Sequence, residues 1–194
     1  RVVEYSEYYD EVEHEGSDPE IRDFDNRIRV LTERLSSVLA AKSRQMMTQY
    51  KREAEFDGLT GLFIRRYFDR RMNREFEKAV ENGRPLSLVF IDIDHFGRVN
   101  KSYGFPTGDK ALQMVTAGIK RSIRTVDWAA RYGGEEFCVV LPDTPEEDAV
   151  KIARRIWEEV GRERIYAFDG RAFSLTLSVG VAQVDSSDTD LETF

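Results

Sequence analysis

The stretch LSLVFIDI, Leu86–Ile93, constrains the fold of this chain more than any other. It is apolar at nearly every position, on both of the alternating faces that a strand presents, and it has the length of one strand. Such a strand belongs in the middle of a sheet with cover on both sides. The flanking sequence offers that cover. Residues 63 to about 79 read as an amphipathic, Arg-rich helix closed by the turn-forming NGRP at 82–85. From 106 to about 123 a second helix carries Leu112, Val115, Ile119 and Ile123 on one face. DWAARYG and EFCVVLP are two short strands around a pair of glycines. Residues 145–160 form another amphipathic helix, and FSLTLSVGVAQ at 173–183 is a final strand. The order βαββαβ predicts an α+β fold, a ferredoxin-like split-βαβ sheet with its helices on one face.

Ahead of this block stands a different kind of sequence. Residues 1–18 are acidic and Tyr-rich without a clear period, and read as a linker or the tail of an absent upstream domain. Ser17 or Asp18 is placed to cap a helix, with Pro19 in its first turn and Glu20 favourable to the dipole. The helical pattern then continues to about residue 56 without an internal Pro or Gly. Ile21, Phe24, Ile28, Leu31, Leu35 and Val38 alternate in steps of three and four, a heptad seam. Lys42 and Gln45 break the seam, and Leu39, Met46 and Tyr50 resume it with a shifted phase, as a four-residue stutter produces. Such a helix can pack on its own domain. The preferred reading is a parallel two-stranded coiled coil making a homodimer, because the stripe must be buried somewhere. The domains expected are therefore 1–18, the signalling helix 19–56 and a catalytic domain 57–194.

Composition narrows the class. The net charge of −7 argues against general binding to nucleic acid, though not against a single nucleotide. One cysteine, Cys138, excludes a disulfide framework and Cys-rich zinc sites, and fits a reducing, cytoplasmic setting. No apolar run reaches membrane-spanning length and no signal peptide is visible.

The residues that carry chemistry cluster at strand ends. Asp92 and Asp94 end the apolar strand on one face, with Ile93 opposite. A carboxylate there is costly unless paired or bound to metal; Asp94 has the alternative of capping the next turn. Gly133 and Gly134 read as the tip of a tight hairpin, where both can take positive φ and where bare backbone can approach a ligand. Glu135 and Glu136 follow, pointing to opposite faces. One can share a metal with Asp92 while the other meets substrate or a basic neighbour. Clustered carboxylates are the oxygen set that Mg²⁺ prefers, with positions left open for phosphate. Alone, the same stretch is an ordinary surface hairpin. Asn100 and, after a Gly-rich turn, Asp109 offer donors and acceptors that suit the edge of a guanine; singly, each also suits a turn or a helix N-terminus.

Together, DGLTGL at 57–62, DIDHF at 92–96, the spaced Asn100, Gly104, Gly108 and Asp109, RYGGEEF at 131–137 and LSVGVA at 177–182 resemble the GGDEF family of diguanylate cyclases, here in a GGEEF variant. The resemblance implies a palm-like core and an Mg²⁺- or Mn²⁺-dependent condensation of two GTP molecules into cyclic di-GMP and pyrophosphate. Each of two facing domains would hold one GTP. It implies that Asp92, the Ile93 carbonyl and Glu135 hold the metal. Glu135 or Glu136 would assist deprotonation of the 3′-hydroxyl, and Asn100 and Asp109 would read guanine. Phe96, Gly133 and Gly134 would line the substrate. It further implies an inhibitory product site at RTVD, with Arg124 and Asp127 joined by Arg155 from the following helix; the plainer reading of RTVD is a surface ion pair. An upstream sensory domain acting through the coiled coil would control the facing of the two domains.

The sequence departs from the family at several places. Gly97 stands where the family usually has a phosphate-steadying Lys, Phe105 replaces a usual His, Lys101 a usual Asp and Ile64 a usual Asn. The family continues past the equivalent of Phe194 with Lys- and Arg-bearing motifs, so truncation of the catalytic domain is expected. An alternative function is a weak or inactive module that binds GTP or cyclic di-GMP as a receptor.

Overall fold

A computed structural model describes residues 19–184. The chain divides into two units between Lys51 and Arg52. The first is carried by α1 (Pro19–Glu55), a 37-residue helix roughly 55 Å long at 1.5 Å per residue. Its expected caps, Ser17 and Asp18, lie outside the described residues. The seam residues Ile21, Phe24, Ile28, Leu31, Leu35 and Val38 are all exposed on the single chain, as are Leu39, Met46 and Tyr50.

The second unit contains β1 (Phe63–Ile64), α2 (Arg65–Asn82), β2 (Leu86–Ile93), α3 (Phe96–Tyr103), α4 (Phe105–Ser122), β3 (Trp128–Arg131), β4 (Glu136–Pro142), α5 (Glu146–Arg162), β5 (Ile165–Tyr166), β6 (Ala172–Phe173) and β7 (Leu177–Gln183). Five strands form one sheet in the order β1-β3-β4-β2-β7, with only β1 and β3 parallel. Leaving β1 aside, this is the expected split-βαβ arrangement, and β2 is central.

Alternation along β2 and β4 makes two cores. Val89, Ile91 and Ile93 join Phe137, Val139 and Leu141 beneath α4 and α5. Leu86 joins Trp128, Ala130, Cys138 and Val140 beneath Phe68, Met72, Phe76 and Ala79 of α2. Helices therefore cover both faces, where one was expected; the two apolar faces of β2 require it. Burial pushes the Cys138 thiol up to about 12, which leaves it inert.

Three boundaries differ from expectation. α2 starts at Arg65, because Phe63 and Ile64 are extended and pair with β3. A separate helix, α3, precedes α4. The final apolar stretch is split: β6 pairs with β5 in its own ribbon, where Phe173 stacks on Tyr103 at 4.4 Å.

Ile91 is completely buried. Ile91→Ala is expected to cost about 2–5 kcal/mol through the cavity it leaves, read as a lower denaturant midpoint with an unchanged slope.

Candidate active site

Pairing between β2 and β4 ends with Asp92 opposite Glu136. Directly opposed residues of an antiparallel pair share a face, so both carboxylates lie on the side of the sheet covered by α2. The Ile93 N–H donates to the Glu135 carbonyl at 3.3 Å, which draws the next acid alongside. Asp92, Glu135 and Glu136 are half-buried, and none is in an ion pair among the described residues. Burial, then the charges of Asp92 and Glu136, hold the Glu135 carboxyl above the ordinary carboxylate range. Like charges gathered without a counter-ion are a donor set suited to a cation. Among the described residues no three Asp, Glu, His or Cys side chains converge on a metal-sized point. The Asp92 and Glu135 carboxylates and the Ile93 carbonyl are hard oxygens of the kind that could hold Mg²⁺ or Mn²⁺.

The hairpin is wider than the expected two-residue turn. Residues 132–135 form the loop, closed by the N–H groups of Tyr132 and Gly133 on the Glu136 carbonyl, at 2.8 and 3.3 Å. Neither glycine has positive φ, since four residues share the reversal. Their value is space. A Cβ on Gly133 would collide with the Glu136 carboxylate, whereas Gly134 faces open room.

Arg131 holds this loop from below. It donates to the Gly134 carbonyl at 2.7 and 3.2 Å and to both Asp57 oxygens at 3.2 and 3.3 Å. Burial would raise the Asp57 carboxyl, but the Thr60 hydroxyl and N–H together with Arg131 hold it below its ordinary value. Neither Asp57 nor Arg131 stands out in the sequence as a site residue. Their opposite charges in two matched motifs are the one hint, and 74 residues separate them.

Asp94 caps nothing. It accepts the Ser178 hydroxyl at 2.6 Å, and hydrogen bonds from Ser178 and Thr176 hold its carboxyl low, pinning the end of β2 to β7. On α3, the Asn100 amide fills the space beside Gly108 of α4, where a Cβ would collide with it. Asp109 follows at once and is exposed, so Asn100 lies beside the residue that precedes it. Phe96 is buried, its ring against Gly108, and so supports this contact from the core.

The RTVD turn lies between α4 and β3. Arg124 pairs with the buried Asp127 at 2.7 Å and also donates to the Thr144 hydroxyl and the Pro142 carbonyl. Arg155 of α5 donates to the Ser122 carbonyl, which brings it beside the same turn. Among the described residues no helix is long and apolar enough to cross a membrane.

Comparison with known proteins matches residues 54–194 to the family described as "Diguanylate cyclase, GGDEF domain". The chain is 38% identical over 138 residues to the protein YhcK of Bacillus subtilis, covering 71% of this chain and 38% of the relative. It is 35% identical over 140 residues to the diguanylate cyclase DosC of Escherichia coli, covering 72% and 30%. The chain thus spans about a third of the length of these curated relatives. Among solved structures, the coiled coil and GGDEF domain of DgcB from Caulobacter crescentus, in complex with c-di-GMP, matches with TM-score 0.76 and 30% identity, over 81% of this chain and 85% of that one.

Because the Glu135 carboxyl is raised in the folded state, that state binds more protons than the unfolded chain between the two values. Its contribution to stability is present below the ordinary carboxylate value and is lost as pH rises through the raised one. Glu135→Gln should therefore raise the thermal midpoint relative to wild type once the pH is above the ordinary carboxylate value, in metal-free buffer, and leave it unchanged well below that value.

Proposed function

The chain belongs to the GGDEF domain family, and on that premise we propose that it condenses two GTP molecules into cyclic di-GMP and pyrophosphate. The observation that supports this most is the junction at which Asp92, Glu135 and Glu136 crowd together without a counter-ion beside a loop of bare backbone. Asp92, Glu135 and the Ile93 carbonyl hold Mg²⁺ or Mn²⁺, which when bound supplies Lewis-acid stabilisation of charge on the phosphate oxygens. Asn100 and Asp109 orient the guanine. The acidic pair Glu135 and Glu136 takes the proton of the 3′-hydroxyl. Its oxygen bonds to the α-phosphorus of the second GTP as the bond to pyrophosphate breaks, and the reciprocal step closes the ring and releases a second pyrophosphate.

Each domain holds one GTP, so the reaction needs two chains. The exposed seam of α1 supports a homodimer through a parallel coiled coil. Product binds at Arg124, Asp127 and Arg155 and restrains the enzyme. The half-exposed Arg124 guanidinium supports that role. The receptor reading draws on Gly97, and the same assay separates the two.

Incubation of the protein with GTP and Mg²⁺, alone and with ATP added, is expected to yield cyclic di-GMP by mass. Asp92→Asn should lower the rate about 10²-fold or more. A cyclic dinucleotide missing from the wild-type reaction defeats this reading, and tight cyclic di-GMP binding would then favour the receptor. Arg124→Ala should relieve inhibition by added product. It should also cost about 1–3 kcal/mol, because it strips the buried Asp127 of its cation.

Leu31→Glu together with Leu35→Glu should convert a dimer to a monomer by light scattering and abolish most turnover. Full activity in a monomer would exclude the coiled coil from the mechanism.

A further inference from the structure

α2 begins at Arg65, immediately after Ile64 pairs in parallel with Arg131. The Arg65 guanidinium lies 4.3 Å above the ring of Tyr132, the residue that opens the hairpin loop. Phe68 of α2 and Phe90 of β2 hold that ring edge-on, at 5.4 and 5.5 Å. Phe90 stands two residues before Asp92 on the same face of β2, and the Tyr132 N–H donates to the Glu136 carbonyl. The cation is thus held at the rim of the acidic junction, on the α2 face where Asp92 and Glu136 lie. After burial, the Cys138 thiol on this face is raised by Glu136 and Asp69 and lowered by Arg65, so Arg65 and Glu136 both act on one buried group of the α2 face.

Arg65 differs from the arginines around it. Arg131 is committed to Asp57 and Gly134. Arg71, stacked on Trp128 at 4.5 Å, is paired with Glu75. Arg66 donates to the Ala54 carbonyl. Arg65 is exposed and has no hydrogen bond or ion pair among the described residues. Stacking orients a guanidinium while leaving its edge donors free, the arrangement that suits a bidentate anion. A triphosphate entering among three carboxylates needs such a cation.

We propose that Arg65 is a substrate-contacting residue: its guanidinium binds phosphate oxygens of the nucleoside triphosphate that enters at the hairpin, and Tyr132 is the platform that aims it. This rests on the cyclase reading. The test is calorimetric binding of a GTP analogue with a methylene group bridging the α- and β-phosphorus, in Mg²⁺, alongside steady-state turnover of GTP. Arg65→Ala is expected to weaken the analogue and raise KM about tenfold with an unchanged unfolding midpoint, an effect that shrinks at high salt. Arg65→Glu weakens binding further, Arg65→Lys recovers part of it, and Tyr132→Leu, which removes the stacking ring, weakens binding less than Arg65→Ala. Wild-type affinity in Arg65→Ala or Arg65→Glu overturns the proposal. A wild type that binds the analogue but makes no cyclic dinucleotide defeats the cyclase reading alone, and Arg65 is then judged on binding. A wild type that binds no analogue defeats both.

Discussion

The antiparallel pairing of β2 with β4, from Leu86 opposite Pro142 to Asp92 opposite Glu136, is the constraint on which the rest of the molecule depends. Both strands are apolar on two faces, so their register decides at once which residues enter each core and which acids meet at the end. A slip of one residue would turn every side chain of β2 to the other face and pull Asp92 away from Glu136. The hydrophobic burial that favours the sheet thus also enforces the unfavourable meeting of like charges. The raised Glu135 carboxyl is the local expression of that conflict. Functional sites often break a local rule in this way, and the surrounding fold maintains the violation.

A second layer of polar contacts gives the strand ends their definition. Arg131 ties the Gly134 carbonyl to Asp57, and Asp57 is fixed in turn by Thr60. Asp94 is fastened to Ser178 of β7. The hairpin loop is thus anchored through Arg131 and the end of β2 through Asp94, while the bare backbone at Gly134 remains open. The bonds of Asp57 to Thr60 and Arg131 are partly screened from solvent, where a charged hydrogen bond is worth more than at the surface.

Much of this was legible residue by residue. The buried central strand, the helical periods of α4 and α5 and the carboxylates at strand ends follow from alternation and spacing, which are local properties of the chain. The seam of α1 was equally plain. The errors fell where tertiary partners overrode local pattern. Phe63 and Ile64 read as helix, but the free edge of β3 made them a strand. The glycine pair read as a two-residue turn, but closure through the Glu136 carbonyl made a longer loop.

By itself the amino-acid sequence determined the element types, the fold class, the long exposed seam and the roster of acids, because hydrophobic period and turn chemistry act over a few residues. Only the tertiary structure decided that helices cover both faces, that Asp57 and Arg131 meet across 74 residues, and that Arg65 lies over Tyr132 with its charge uncommitted. Those relations are set by sheet order and register, which long-range packing selects and no local window contains.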